Sequence, residues 1–281
     1  MKNVVFLLCC LNSLNLYAQE IYTLLTPGGE KVSLNSLTEE ATKRDVILFG
    51  ELHNQPVVHW LQLRLVKELP AKTAVGFEMF DIDNRQLLAD YSAGLATERH
   101  LSQAMAVWSN FKNDYLPIVQ AAQERDLPVF ASNAPTRLVT YTAKQGLDSL
   151  ALLKASHPLL AFPLPTEKDL SNELYTFIKE QMPPGHNSSG MIAAQALRDA
   201  SMAYYIKQEL LSSKKVLHLH GGFHSKNRNG ISHFLEKYGV AKNRIFHIQT
   251  VIKKDCALID ESTLAEAELT VCLPEDSITS Y

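Results

Sequence analysis

Val46-Ile47-Leu48-Phe49-Gly50-Glu51-Leu52-His53 is the stretch whose reading decides the fold. Residues 46–50 are an unbroken apolar run, which suits a strand of a parallel sheet covered on both faces. The run then gives way to a glutamate and a histidine. Glu51 and His53 are two residues apart, so an extended chain places them on one face. Asn54 is positioned to cap a helix with Pro56 in its first turn, and Leu61, Leu65 and Leu69 then lie along one side.

The same alternation continues on either side. Residues 74–77, 129–132, 216–220 and 245–252 are further short apolar runs. Between them lie amphipathic stretches, including 115–125 and the long, Ala-rich 191–211. This pattern predicts an α/β fold with a mainly parallel sheet flanked by helices. Residues 134–190 hold no clear strand. Within them 168–182 reads as one helix stopped by Pro183-Pro184-Gly185, so this region is expected to be a helical insertion in a single unit over 19–281.

Open parallel sheets bind ligands beyond the carboxyl ends of their strands. Four runs end there in polar chemistry: Glu51 and His53, Glu78, Asn133, and His218-Leu219-His220-Gly221-Gly222-Phe223-His224. Candidate crevice residues are therefore Glu51, His53, Glu78, Asn133, His220 and His224. Carboxylate and imidazole can ligate a metal or move protons. The bland alternatives are a salt bridge at a strand end and histidines that cap or pack. Lys226 and Arg228 follow the glycine turn and could hold an anionic group. Gln195, Arg198 and Asp199 share a sector of the long helix and either face water or support the crevice. His218 reads as a hydrogen-bonded core histidine and His59 as helix surface or a supporting group.

Composition excludes several classes. The 281 residues are 46% hydrophobic and 20% charged, with a formal charge of −3. That is neither a disordered chain, a collagen repeat nor a polytopic membrane protein, and it carries no footprint for nucleic acid. Residues 1–18 read as a signal peptide, with Cys9 or Cys10 as competing lipidation sites. The expected location is thus outside the cytoplasm, in the periplasm, envelope or medium. Cys256 and Cys272 remain, paired or free. Neither an H-E-x-x-H nor a G-x-S-x-G string is present.

The ordered motifs resemble the ChaN family of the Tiki superfamily. They are Ile47 to His53, Gly76-Phe77-Glu78-Met79-Phe80, Trp108 with Phe111 and Tyr115, Phe130 to Pro135, Ala194-Gln195 with Asp199 and Met202-Ala203, and Gly221 to His224. The resemblance implies an exported haem-binding protein of iron uptake, often dimeric and working with outer-membrane uptake machinery. If haem is the ligand, Tyr175 and His186 are axial candidates by their chemistry, and Lys226 and Arg228 are candidates for the propionates. The competing expectation is a metal-dependent hydrolase, with a divalent metal on Glu51, His53, Glu78 and His224.

Overall fold

Each apolar run finds its partners in one sheet. The structure, a computed structural model, describes residues 20–183 and 187–281. Its strands are β1 Thr23–Leu25, β2 Val46–Glu51, β3 Thr73–Asp81, β4 Val129–Asn133, β5 Lys215–Gly221, β6 Ile245–Ile252 and β7 Leu269–Leu273. Their order is β1-β7-β6-β2-β5-β3-β4, and every pairing is parallel except β1 with β7. This is the predicted α/β class. The expected signal segment and His186 lie outside the described residues. No helix among the described residues is long and apolar enough to cross a membrane.

Alternation along the central strands divides the core in two. Ile47, Phe49, Val75, Phe77, Leu217 and Leu219 pack on one face with the helices Pro56–Glu68 and Leu116–Glu124. Val46, Leu48, Ala74 and Val216 pack on the other with Thr136–Leu153, Ser188–Ser212 and Ile231–Lys237. The helix that follows β2 therefore covers one face and the helix that follows β5 covers the other. β2 and β5 are neighbours, with Gly50 opposite His220 and Glu51 opposite Gly221. Chains that leave adjacent strands toward opposite faces open a crevice at the carboxyl edge.

Several local expectations change. Gln55, not Asn54, occupies the cap position before Pro56, and no side chain caps that helix. The single helix expected over 168–182 is two, Glu167–Leu170 and Glu173–Gln181, because the Asn172 side chain accepts from Tyr175 N and starts a new helix. β3 runs to Asp81, so Glu78 lies within the strand rather than after it. Strands β1 and β7 were not expected. Cys256 and Cys272 form a disulfide that ties the turn after β6 to β7.

Gly76 shows how closely β3 is packed. A Cβ there would run into the ring of Phe130 and come within 2.7 Å of His218 Cδ2. Both rings are buried. Gly76→Ala is therefore expected to overpack the core and cost about 1–3 kcal/mol, read as a lower midpoint in urea unfolding.

Candidate functional site

Glu51 ends β2 with its carboxylate wholly buried on the face that carries Pro56–Glu68. A buried carboxylate is tolerated when its lone pairs are taken up. Oε1 accepts from the Tyr115 hydroxyl at 2.6 Å and from His53 Nδ1 at 2.9 Å, and Oε2 accepts from Gln62 Nε2 at 2.6 Å. Burial alone would raise the Glu51 pKa, but the neighbouring histidines and the Tyr115 hydroxyl leave it lowered and the group ionised.

His53 is fixed from several sides. Its carbonyl accepts from His59 Nε2 at 3.0 Å and from Asn110 Nδ2 at 2.7 Å, and its ring lies 5.0 Å from the Trp108 ring between centroids. His59 is thus a buried support, not helix surface. With Nδ1 on Glu51, His53 has Nε2 at the cavity, beside Gly221. The absent side chain of Gly221 leaves that space open, since a Cβ there would sit 2.7 Å from Nε2. The side chain of His53 is 30% exposed, so Nε2 is within reach of a ligand. Burial would lower the His53 pKa, yet Glu51 and Glu78 together raise it.

A second network occupies the opposite face. Glu78 Oε2 accepts from Gly221 N at 2.7 Å, and Oε1 accepts from His224 Nε2 at 3.0 Å. His224 Nδ1 bonds to Asp199 Oδ1, and Asp199 Oδ2 accepts from the Tyr175 hydroxyl at 2.6 Å. Burial works against a charged His224, but the carboxylates of Glu78 and Asp199 outweigh it and raise its pKa to about 10. At neutral pH His224 is therefore an imidazolium. Glu78 is held low despite burial because this cation lies beside it. Burial raises Asp199, and burial with the Asp199 charge keeps Tyr175 a neutral phenol. The Gln195 amide lies 2.9 Å from the same His224 ring.

The remaining expected residues fall elsewhere. His220 is buried beneath the cavity, with Nε2 bonded to Ser225 Oγ at 2.9 Å and Nδ1 3.2 Å from His218 Nδ1. Burial and the nearby His224 charge push its pKa down to about 3, so it stays neutral. His218 is the expected core histidine, bonded to Ser132 Oγ at 2.7 Å. Asn133 also stays out of the cavity and donates to the Glu78 carbonyl at 3.1 Å. Arg198 is half-buried on the long helix and is not among the cavity residues. Tyr175 is fully buried with its hydroxyl committed to Asp199, so it is not presented to a ligand as the axial expectation requires.

The cavity beside His53 has a volume of about 680 Å³, within the usual range for small-molecule sites. Leu52, Phe223, Ile248 and Val251 give it apolar walls, and Lys226 and Lys253 add cations. Lys226 is paired with Glu266, and Arg228 is turned to Glu268 and away from the cavity. Tyr115, Gln62, Lys253 and Glu266 were not singled out as site residues from sequence. Only Tyr115 carried a signal, as one of the family landmarks.

The four-residue metal expectation does not fit this geometry. Glu51 and His53 form one hydrogen-bonded pair, and Glu78 and His224 form another on the far side of Gly221. Both nitrogens of His224 face carboxylates, and both oxygens of Glu51 are taken by donors. Among the described residues no group of three or more His, Cys, Asp and Glu is disposed to hold a metal ion.

The chain is thus an α/β protein with a mainly parallel sheet, a cavity at its carboxyl edge and buried Glu/His pairs behind it. The chain belongs to the haem-binding uptake family of the Tiki superfamily, ChaN, which it matches over residues 37–235. Among solved structures it is similar to ChaN of Campylobacter jejuni, described with cofacial haem. Identity is 18%, the match covers 93% of this chain and 98% of that one, and the TM-score is 0.69. The type III effector HopBA1 overlaps less well, at 12% identity, 86% and 94% coverage and a TM-score of 0.46. An erythromycin esterase, EreC, gives 12% identity, 82% and 77% coverage and the same TM-score of 0.46. None of the curated proteins compared with the chain matches it.

The His224 assignment has a pH consequence. Its pKa is raised in the folded state, from an ordinary 6.5 to about 10. The stabilisation it brings is therefore complete below the unfolded value and is lost as pH rises through the folded one. In a carbon-13 NMR titration His224 is expected to remain protonated at pH 8. Asp199→Asn should bring its titration down toward the ordinary histidine range. Loss of the His224 proton near neutral pH in the unaltered protein would contradict its pairing with Glu78 and Asp199 as a cation.

Proposed function

We propose that this protein binds haem as cargo in the cavity beside His53, and that it serves haem uptake outside the cytoplasm. The observation that carries the reading is the state of His53. Its Nδ1 is anchored on a buried, ionised carboxylate, while Nε2 faces the cavity with no protein partner among the described residues. An imidazole whose second nitrogen is fixed by a carboxylate is a well-oriented and more basic iron ligand. The anchor itself is rigid, because Tyr115 and Gln62 hold Glu51.

The rest of the cavity suits the same ligand. Leu52, Phe223, Ile248 and Val251 offer apolar surface for a flat ring, and Lys226 and Lys253 offer charge for two propionates. Iron supplies the coordination bond; the chain supplies the donor, the apolar slot and the cations. Membership of the haem-binding uptake family supports this reading. The Cys256–Cys272 disulfide supports an oxidising compartment and hence export. Pairing of two copies and delivery to outer-membrane uptake machinery belong to the same reading. Sedimentation with and without haem measures the pairing.

Titration of haemin into the purified protein, followed at the Soret band, tests the proposal. Saturable binding with a shifted band is expected. His53→Ala should abolish the shifted spectrum, whereas Tyr175→Phe should leave it unchanged. No saturable binding in the unaltered protein would overturn the function, and an unchanged spectrum in His53→Ala would overturn the iron donor.

Gly221→Ala makes a narrower test. Gly221 has an ordinary negative φ of −58°, so alanine strains nothing in the backbone. Its methyl group would instead come within 2.7 Å of His53 Nε2, so the ring must shift and the space in front of it is lost. Haemin affinity is expected to fall, and the thermal midpoint to drop modestly because the held His53 ring must give way. Equal haemin affinity in the two proteins would show that Nε2 is not used.

A further inference from the structure

One wall of the cavity carries a carboxylate that the haem reading leaves unexplained. Lys226 Nζ donates to Glu266 Oε2 at 3.1 Å. The Asn227 amide nitrogen, in the orientation that satisfies both groups, donates to Glu266 Oε1 at 2.9 Å and Oε2 at 2.7 Å. Glu266 thus receives a lysine and an amide, a donor set that would equally receive the carboxylate of a ligand.

The neighbouring pair is built differently. Glu268 accepts from the backbone N of His247 at 2.7 Å and from its Nδ1 at 3.0 Å, besides pairing with Arg228. It does not line the cavity, and its role is to hold the turn in which Asn227 and Arg228 take left-handed backbone angles, φ 52° and 57°. Glu266 lines the cavity and has no such backbone anchor. Its side chain is 21% exposed, and that of Lys226 is 33% exposed, so solvent already reaches the pair. Lys253, which also lines the cavity, has no acidic partner among the described residues.

We propose that Glu266 occupies an anion subsite formed by Lys226 and Asn227, and that carboxylate-bearing ligands enter by displacing it. The inference rests on the haem reading and adds a residue that sets affinity and release. The exchange replaces one carboxylate by another, so Lys226 stays paired throughout and Glu266 turns to solvent. Self-competition weakens binding of a ligand's carboxylate, and the return of Glu266 helps the ligand leave.

The test compares haemin with haemin dimethyl ester, which lacks the free carboxylates. Both are titrated into the unaltered protein, Glu266→Gln, Glu266→Asp and the Lys226→Met/Glu266→Gln double variant. Glutamine keeps the shape, and Asn227 can turn its amide to meet it, so the thermal midpoint should hold. Glu266→Gln is expected to tighten haemin about two- to fivefold, the scale of one partly exposed ion pair. It should leave the ester unchanged, Glu266→Asp should stay near the unaltered protein, and the gain should vanish when Lys226 is also replaced. Unchanged or weaker haemin binding by Glu266→Gln would overturn the subsite. So would equal tightening of haemin and ester, or a gain that survives Lys226→Met. Absence of saturable binding in every form would overturn the haem reading itself, a result distinct from binding that ignores Glu266.

Discussion

A carboxylate taken out of water must be met by donors or a cation, and three of them, Glu51, Glu78 and Asp199, are buried around the ends of β2, β3 and β5. The rest of the site follows from how each is met. Glu51 is met by the neutral donors of Tyr115 and Gln62 and flanked by His53 and His59. Glu78 and Asp199 share a single cation, His224, which burial alone would have neutralised. Burial, reinforced by that nearby charge, keeps His218 and His220 neutral, and they bond to Ser132, Ser225 and each other instead. Tyr175, facing Asp199, and Tyr115, facing Glu51, are kept as phenols for the corresponding reason. Burial and the two acid–histidine networks thus set the protonation of eight side chains.

The sheet topology determines which of these groups a ligand can reach. Helices leave β2 and β5 toward opposite faces, so the two acid–histidine networks are covered on separate sides. The crevice that opens between the strands exposes the far side of His53. Gly221 makes this possible twice over. Its N–H donates to Glu78, and its missing side chain clears the space in front of Nε2. The His224 network then reads as a rigid, charge-balanced floor, and the His53–Glu51 pair as the face turned to a ligand.

Much of this was legible from residue types at strand ends. The runs at 46–50, 74–77, 129–132, 216–220 and 245–252 correspond to β2 through β6, because strands covered on both faces are mostly apolar, and the polar residues within them, such as His218 and Ser132, are paired with one another. Glu51, Glu78 and His224 stood out because charge directly beside such runs is costly without a purpose. Other features depend on contacts far along the chain and have no local signature. β1 has three residues, and its pairing partner β7 lies almost 250 positions away. Lys226 and Arg228 were legible as cations, but the acids that take them, Glu266 and Glu268, arrive 40 residues later from the β6–β7 connection. Asn133 and His220 share the type and position of true cavity residues. Only packing shows that one turns back to a strand carbonyl and the other lies beneath Ser225.

By itself the sequence determined the class of fold and the set of chemical groups at one edge, since strand burial and strand-end polarity are local properties of the chain. Tertiary structure decided which groups are partners and which are free. It gave His224 two carboxylates and a fixed charge, left His53 with one carboxylate and an open nitrogen, and buried the Tyr175 hydroxyl on Asp199. Those outcomes depend on distances of a few ångströms between residues tens to hundreds of positions apart, where burial strengthens each interaction and leaves no water to substitute for a missing partner.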